Sequence, residues 1–254
     1  MKERGERITA LTAYDHLMAA CVDEAGVDAI LVGDSVATVV QGRDSTVSVT
    51  MEHMLYHAEV VSRAVKRALV IGDLPFMSYQ VNPDEALRNA GRMIQQSGVE
   101  AIKVEGGLGI APTVRRIVDA GIPVMGHVGL TPQSIHKFGT YKVRATKEQE
   151  AEEVFEGAQA LEDAGAFGVV VEKVPAELAE RIAQELAIPV IGIGAGPACD
   201  GQILVSHDML GLYTRFQPRF VRRYAELGEE MRRAFEAYVS DVRSREFPTQ
   251  DESY

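Results

Sequence analysis

The run "AIKVEGG", residues 101–107, sets Lys103 and Glu105 two positions apart in an apolar segment. On a strand that spacing points both side chains to one face, and two charges turned inward each need a partner. An edge strand with a solvated polar face would also hold them. Other short apolar runs close in the same way: "AILVGD" on Asp34, "LVIGD" on Asp73, "VMGH" on His127 and "VVVE" on Glu172. One acid at a strand end is ordinarily a loop residue or the cap of the next helix. Asp34, Asp73, Glu105 and Glu172 in matching positions describe a convergent carboxylate cluster. Converging carboxylates repel, so such a cluster requires a cation, a shared proton or both. All-oxygen donors with room left for water and substrate suit Mg²⁺. Lys103 then balances the acids and can bind an anionic substrate group beside the metal.

Those residues need strands whose ends meet. Helix-like stretches finish at Gly26, Gly98, Gly121 and Gly165, each just ahead of an apolar run, where a left-handed C-terminal cap is expected. Between the runs, apolar spacing predicts helices over 51–66, 84–96, 111–120, 147–164 and 176–186. Asn82-Pro83-Asp84-Glu85 opens one of them with Pro and acids in the first turn. Strands of near-continuous Val, Ile and Ala alternating with helices indicate a parallel sheet covered by helices. With "ITALTAYD" (8–15) as the first, seven strands are evident, and an eighth is expected within 203–212. That count favours an α/β fold of the (β/α)8 TIM-barrel type, whose active sites sit at the C-terminal strand ends. No linker or composition break divides the chain, so 1–254 reads as a single domain. An excursion at about 129–146 is too long and polar for a simple loop and is a candidate lid or substrate-binding segment. A C-terminal helix is expected at about 218–243, where Phe220, Tyr224, Leu227, Met231 and Phe235 recur at helical spacing.

Composition narrows the function classes. The 254 residues are 46% hydrophobic and 25% charged, as in ordinary globular proteins. The net charge of −11 argues against a nucleic-acid-binding surface, and the basic stretch "RFQPRFVRRY" (215–224) is accounted for as the edge of the C-terminal helix. No run approaches the roughly 20 apolar residues of a membrane span. The start "MKERGERITALTAYD" has no signal-peptide core, so a cytoplasmic location is expected. Cys21 and Cys199 make neither a disulfide framework nor a zinc motif. His53 and His57 have a metal-like i, i+4 spacing, but nothing else in the sequence supports zinc. "IGIGAG" (191–196) lacks the rest of a dinucleotide fingerprint, and its glycines can serve close backbone approach.

Taken together, "ITALTAYD", "LVGDS", "GRDST", "GDLPFMSY", "IKVEGG", "GHVGLTPQS", "EKVPAELA", "IPVIGIGAG" and "CDGQILVSHDMLG" resemble, in order and over nearly the whole chain, the ketopantoate (3-methyl-2-oxobutanoate) hydroxymethyltransferases. The resemblance implies a (β/α)8 barrel using Mg²⁺ and the co-substrate 5,10-methylenetetrahydrofolate, assembled as a homo-oligomer, in that family a decamer. It implies that Asp34, Asp73 and Glu105 belong to the metal site, Glu105 through water. It further implies that Asp34, Ser35, Asp73 and Lys103 contact the ketoacid and that Glu172 is the general base. The chain has Val36-Ala37-Thr38 where the family usually carries a Leu-Gly-Met-like tripeptide, Arg43 for a more usual aromatic or His, and Pro197 after "GIGAG". Two other readings stay open. One is a Mg²⁺-dependent lyase or mutase acting on ketoacids or phosphoenolpyruvate, which needs no folate. The other is a catalytically inactive, ligand-binding barrel.

Overall fold

In the computed structural model, residues 1–214 and 217–254 are described; Arg215 and Phe216 of the basic stretch lie outside them. The chain divides into two compact units, Met1–Val205 and Ser206–Tyr254.

The first unit is the barrel. Its strands are β1 (Ile8–Thr12), β2 (Ala29–Val32), β3 (Leu69–Asp73), β4 (Ala101–Lys103), β5 (Val124–Gly129), β6 (Gly168–Glu172), β7 (Val190–Ile193) and β8 (Gly201–Leu204). Each pairs in parallel with its neighbours, and β1 closes onto β8, as the (β/α)8 reading requires. The helices of this unit are α1 (His16–Glu24), α2 (Val36–Val39), α3 (Met51–Ser62), α4 (Pro83–Ser97), α5 (Ala111–Val118), α6 (Ile135–Phe138), α7 (Glu148–Asp163) and α8 (Ala176–Glu185). Local chemistry explains their ends. Asn82 accepts from Glu85 N at the start of α4, and Gly98 terminates it at φ 75°, a left-handed conformation that glycine adopts without steric cost. Asp15 likewise caps α1, a helix outside those expected from apolar spacing. The eighth strand lies at Gly201–Leu204, ahead of most of the expected window, because the backbone of Gly201 packs against Ile8. A Cβ there would stand 2.4 Å from Ile8 O.

Strand alternation builds two apolar layers. Ile30, Val70, Ile102, Val124, Val169 and Val190 face the helices, while Ala10, Leu31, Ile71, Met125, Val170 and Ile191 fill the inside of the barrel. The excursion after β5 is partly structured: a 3₁₀ turn at Pro132–Ser134 leads into α6. Ala37 is buried inside α2, a helical position that needs no glycine.

The second unit holds α9 (Ser206–Met209) and α10 (Leu227–Ser244). The C-terminal helix therefore begins at Leu227, later than expected. Ahead of it, Tyr224 N and Leu227 N donate to Met209 O and Leu210 O, which takes them out of a helical ladder. None of the residues of α10 is buried. Among the described residues no helix is long and apolar enough to cross a membrane.

Candidate active site

Five strands deliver the charged residues to one end of the barrel. Asp34 follows β2, Asp73 ends β3, Lys103 ends β4 with Glu105 just beyond it, His127 lies in β5 and Glu172 ends β6. Four of them sit on the inward face, two positions after an apolar residue of the barrel interior: Asp73 after Ile71, Lys103 after Ala101, His127 after Met125, Glu172 after Val170. Register sets them side by side, with Asp73 opposite Lys103 across the β3–β4 pair. Gly129 faces Glu172 across β5–β6 at φ 90°. A Cβ at Gly129 would stand 2.4 Å from Glu172 O, so only glycine lets the two chains approach this closely.

The geometry centres on one ammonium. Lys103 Nζ is 2.7 Å from Asp73 Oδ1 and 3.9 Å from Glu105 Oε1. His127 stands between two acids, Nδ1 3.5 Å from Glu105 Oε1 and Nε2 3.3 Å from Glu172 Oε2. Lys103 Nζ lies 3.4 Å from the same Nδ1. Asp73 Oδ2 accepts from Asp34 N at 3.0 Å. Ser35 Oγ shares a 2.7 Å hydrogen bond with Tyr14 OH. Asp34, Asp73, Lys103, Glu105 and His127 are all buried, and Glu172 is partly so.

Electrostatics follow from that crowding. Burial, then Glu105 and Asp73, pushes the Asp34 carboxyl well above its usual range. Burial raises Asp73 as well, against the opposing pull of Lys103. Burial alone would lower Lys103, but Asp73, Glu105 and Asp34 hold it above its ordinary value. His127 is pulled down by burial and by Lys103, yet the hydrogen bonds of Glu105 and Glu172 lift it to about 9. Glu105 is lowered overall: burial acts against it, and His127 and Lys103 prevail.

Two buried residues that the spacing of charges did not single out complete the site. Gln133 Nε2 donates to Asp34 Oδ2 at 2.9 Å, and Gln133 N to Glu105 Oε2 at 2.9 Å. Tyr79 OH accepts from Glu105 N at 3.0 Å. Further out on the excursion, the Tyr141 phenol is raised by burial and then by Asp34, Glu172 and Glu105, so it lies in the field of the same acids. His53 and His57 play no part together: His53 caps α3 with Thr50, and His57 Nδ1 lies 2.7 Å from Tyr14 O.

Among the described residues no three His, Cys, Asp or Glu side chains form a ready-made coordination set. The donor chemistry nonetheless fits Mg²⁺, which typically takes one or two carboxylates and completes its shell with water and substrate oxygens. Asp34 and Asp73, linked through Asp34 N, are the pair that could hold it. Acids raised by burial and then by neighbouring carboxylates are the groups a dication would relieve.

Comparison with known proteins gives a consistent result. The family described as ketopantoate hydroxymethyltransferase matches residues 1–250. The 3-methyl-2-oxobutanoate hydroxymethyltransferase of Chlorobaculum parvum is 56% identical, over 100% of this chain and 93% of its own length. That of Flavobacterium johnsoniae is 58% identical with the same coverage. Among solved structures, phosphonopyruvate hydrolase superposes with a TM-score of 0.65 at 13% identity, covering 99% of this chain and 88% of its own. 2,3-Dimethylmalate lyase, of the PEP mutase/isocitrate lyase superfamily, gives 0.60 at 20% identity, covering 100% and 89%. At those identities the likeness is one of fold alone. The full-length family match and the close relatives decide the matter: this chain belongs to the ketopantoate hydroxymethyltransferase family, transferase enzymes of pantothenate biosynthesis.

Proposed function

We propose that the protein transfers a hydroxymethyl group from 5,10-methylenetetrahydrofolate to 3-methyl-2-oxobutanoate by way of an enolate, at a site that takes Mg²⁺ on Asp34 and Asp73 with Glu105 acting through water. The observation that carries this reading is Glu172, on the strand next to His127 and across the mouth from the Lys103–Asp73 pair. When bound, Mg²⁺ supplies Lewis acidity that stabilises the negative charge developing on the 2-oxo oxygen. The rest belongs to the chain. Lys103 engages the ketoacid carboxylate and Ser35 adds a hydroxyl contact. Glu172 takes the C3 proton, its carboxylate oriented by His127 Nε2 at 3.3 Å. The electron pair left on C3 forms the bond to the folate methylene carbon as one of that carbon's two bonds to nitrogen breaks, the released pair staying on that nitrogen and taking the proton from Glu172. Water then breaks the remaining bond from that carbon to nitrogen, leaving its oxygen as the new hydroxyl and its proton on the departing folate nitrogen. A cytoplasmic location, a single domain over 1–254 and a homo-oligomer, by family resemblance a decamer, go with this reading.

Enolisation needs no folate, so it can be watched alone as exchange of the C3 hydrogen in D₂O with Mg²⁺ present. Wild type should exchange it. Glu172→Gln should still bind ketoacid but exchange on the order of 10²–10⁴-fold more slowly, the usual contribution of a positioned acid–base group. Exchange at the wild-type rate in Glu172→Gln would move the base elsewhere. Absence of tetrahydrofolate among the products of the complete wild-type reaction would sink the reading and favour a folate-independent lyase or mutase.

A further inference from the structure

Each of the buried acids at the mouth has one carboxylate oxygen tied down by an N–H. Asp73 Oδ2 is held by Asp34 N at 3.0 Å. The other two are held by a single residue: Gln133 binds Asp34 Oδ2 through its side chain and Glu105 Oε2 through its backbone, each at 2.9 Å. Gln133 is only 4% exposed, although it lies in the polar turn Pro132–Ser134.

The amide of Gln133 has one workable orientation. Its NH₂ donates to Asp34 Oδ2 and, at 3.0 Å, to Leu74 O. Its Oε1 accepts from Tyr79 OH at 2.8 Å and from Gln80 Nε2 at 3.1 Å. A flipped amide would set oxygen against a carboxylate and a carbonyl, and NH₂ against the Gln80 amide NH₂. The acceptors Asp34 Oδ2 and Leu74 O lock the choice, and Tyr79 supports it: its oxygen accepts from Glu105 N at 3.0 Å, and of the two acceptors in reach of its single hydrogen, Gln133 Oε1 at 2.8 Å is nearer than Glu105 O at 3.1 Å. A fully satisfied buried network of this kind fixes geometry, since each member is costly to leave unpaired.

The geometry points to Gln133 as a positioning residue, oriented by Tyr79, that turns Asp34 and Glu105 so that Oδ1 and Oε1 face the centre where a divalent cation and the ketoacid bind. This rests on the metal-dependent reading above and extends it to groups that touch neither metal nor substrate. Such outer partners of metal ligands typically carry 10–100-fold of metal affinity.

Mn²⁺ alone, followed by its paramagnetic resonance signal on the full chain without substrate, is the probe. Wild type should bind it, Gln133→Leu should bind 10–100-fold more weakly, and Tyr79→Phe should lose a smaller factor with its fold intact. Asn89→Leu is the control, since it removes a half-buried amide bonded to Ser78 O at 2.7 Å without touching the acids. It should lower the unfolding midpoint and leave Mn²⁺ affinity unchanged. Wild-type affinity in both Gln133→Leu and Tyr79→Phe would overturn the proposal alone, and Tyr79→Phe decides if Gln133→Leu does not fold. Equal weakening in Asn89→Leu would also overturn it, by showing general loosening. No Mn²⁺ binding by wild type would remove the metal reading and this proposal with it.

Discussion

Asp23, in the last turn of α1 ahead of β2, and Asp34, just past the other end of β2, are both buried aspartates, and the protein treats them in opposite ways. At the lower end, Asp23 accepts backbone N–H groups from Ala68, Lys66 and Arg67 at 2.8, 2.9 and 3.2 Å. Those bonds, Ala68 first, hold its carboxyl below the usual range. At the upper end Asp34 has one amide donor and two acidic neighbours, and it is pushed well up. The same contrast runs through the barrel interior. Its lower layers are Ala10, Leu31, Ile71, Met125 and Val170, while two residues further along β3, β5 and β6 come Asp73, His127 and Glu172. One end satisfies its buried charge from the backbone and gains stability. The other crowds three acids, each with one oxygen held by an N–H, around one ammonium, a local conflict of the kind proteins accept where a site must keep donor atoms free.

The hardest test of that contrast is the ammonium itself. Lys103→Met keeps the stem and strips the charge from a group 2.7 Å from Asp73 Oδ1. Removing one partner of a buried ion pair costs about 3–5 kcal/mol. Denaturant unfolding at pH 8 with chelator should show a loss of that size, and adding Asp73→Asn should recover much of it. A Lys103→Met protein as stable as wild type would mean that the mouth stores no electrostatic cost.

pH separates the two aspartates more finely. Asp34 has a higher pKa folded than unfolded, so above the ordinary carboxylate value the folded chain holds the extra proton. Its contribution to metal-free stability therefore falls as pH rises through the raised value. Asp23 works the other way: its contribution is present above the ordinary value and is lost as pH drops through the depressed one. Asp34→Asn, unfolded in chelator from pH 4 to 8, should be less pH-sensitive than wild type and more stable at the upper end. Asp23→Asn should cost about 1.5–3 kcal/mol at neutral pH, the range for hydrogen bonds to charged groups. Identical pH slopes for wild type and Asp34→Asn would break the comparison.

How much of this was readable from the chain depends on the range of the interaction. Apolar runs closed by Asp34, Asp73 and Glu172 reveal strands and their ends because alternation and Gly caps are local signals. The barrel and the acids follow from counting such runs. Gln133 was not legible: in "GLTPQS" it reads as one more polar turn residue, and only the folded β3, β4 and β5 loops bury it between Asp34 and Tyr79. β8 was weak for the opposite reason. Gly201 and Gln202 lower the strand signal, yet Gly201 is what lets β8 close on β1. The late start of α10 is also tertiary, set by the backbone bonds of Tyr224 and Leu227 to Met209 and Leu210.

The smallest effect belongs to the lower end of β2. A cavity of about 260 Å³ opens there, lined by Ala10, Ala29, Ile71, Met125 and Phe167 among others. Ala29 pairs with Ala10 and Leu69, so two of the residues facing one another are small where strands elsewhere carry Val or Ile. Ala29→Val adds two methyl groups on a strand position that suits a β-branched side chain. At roughly 0.8 kcal/mol per buried carbon, less what imperfect fit removes, it should stabilise the chain by about 1 kcal/mol. The upper end of the same strand gives the counter-test. A Cβ at Gly33 would lie 2.9 Å from Ser35 Oγ and 3.5 Å from Asp73 Oδ2, so Gly33→Ala should disturb the site rather than fill space. Unfolding midpoints and ketoacid binding of both variants sort the outcomes. Destabilisation by Ala29→Val would mean that the lower layers are already as tightly packed as the mouth, and the two ends would then differ in charge alone.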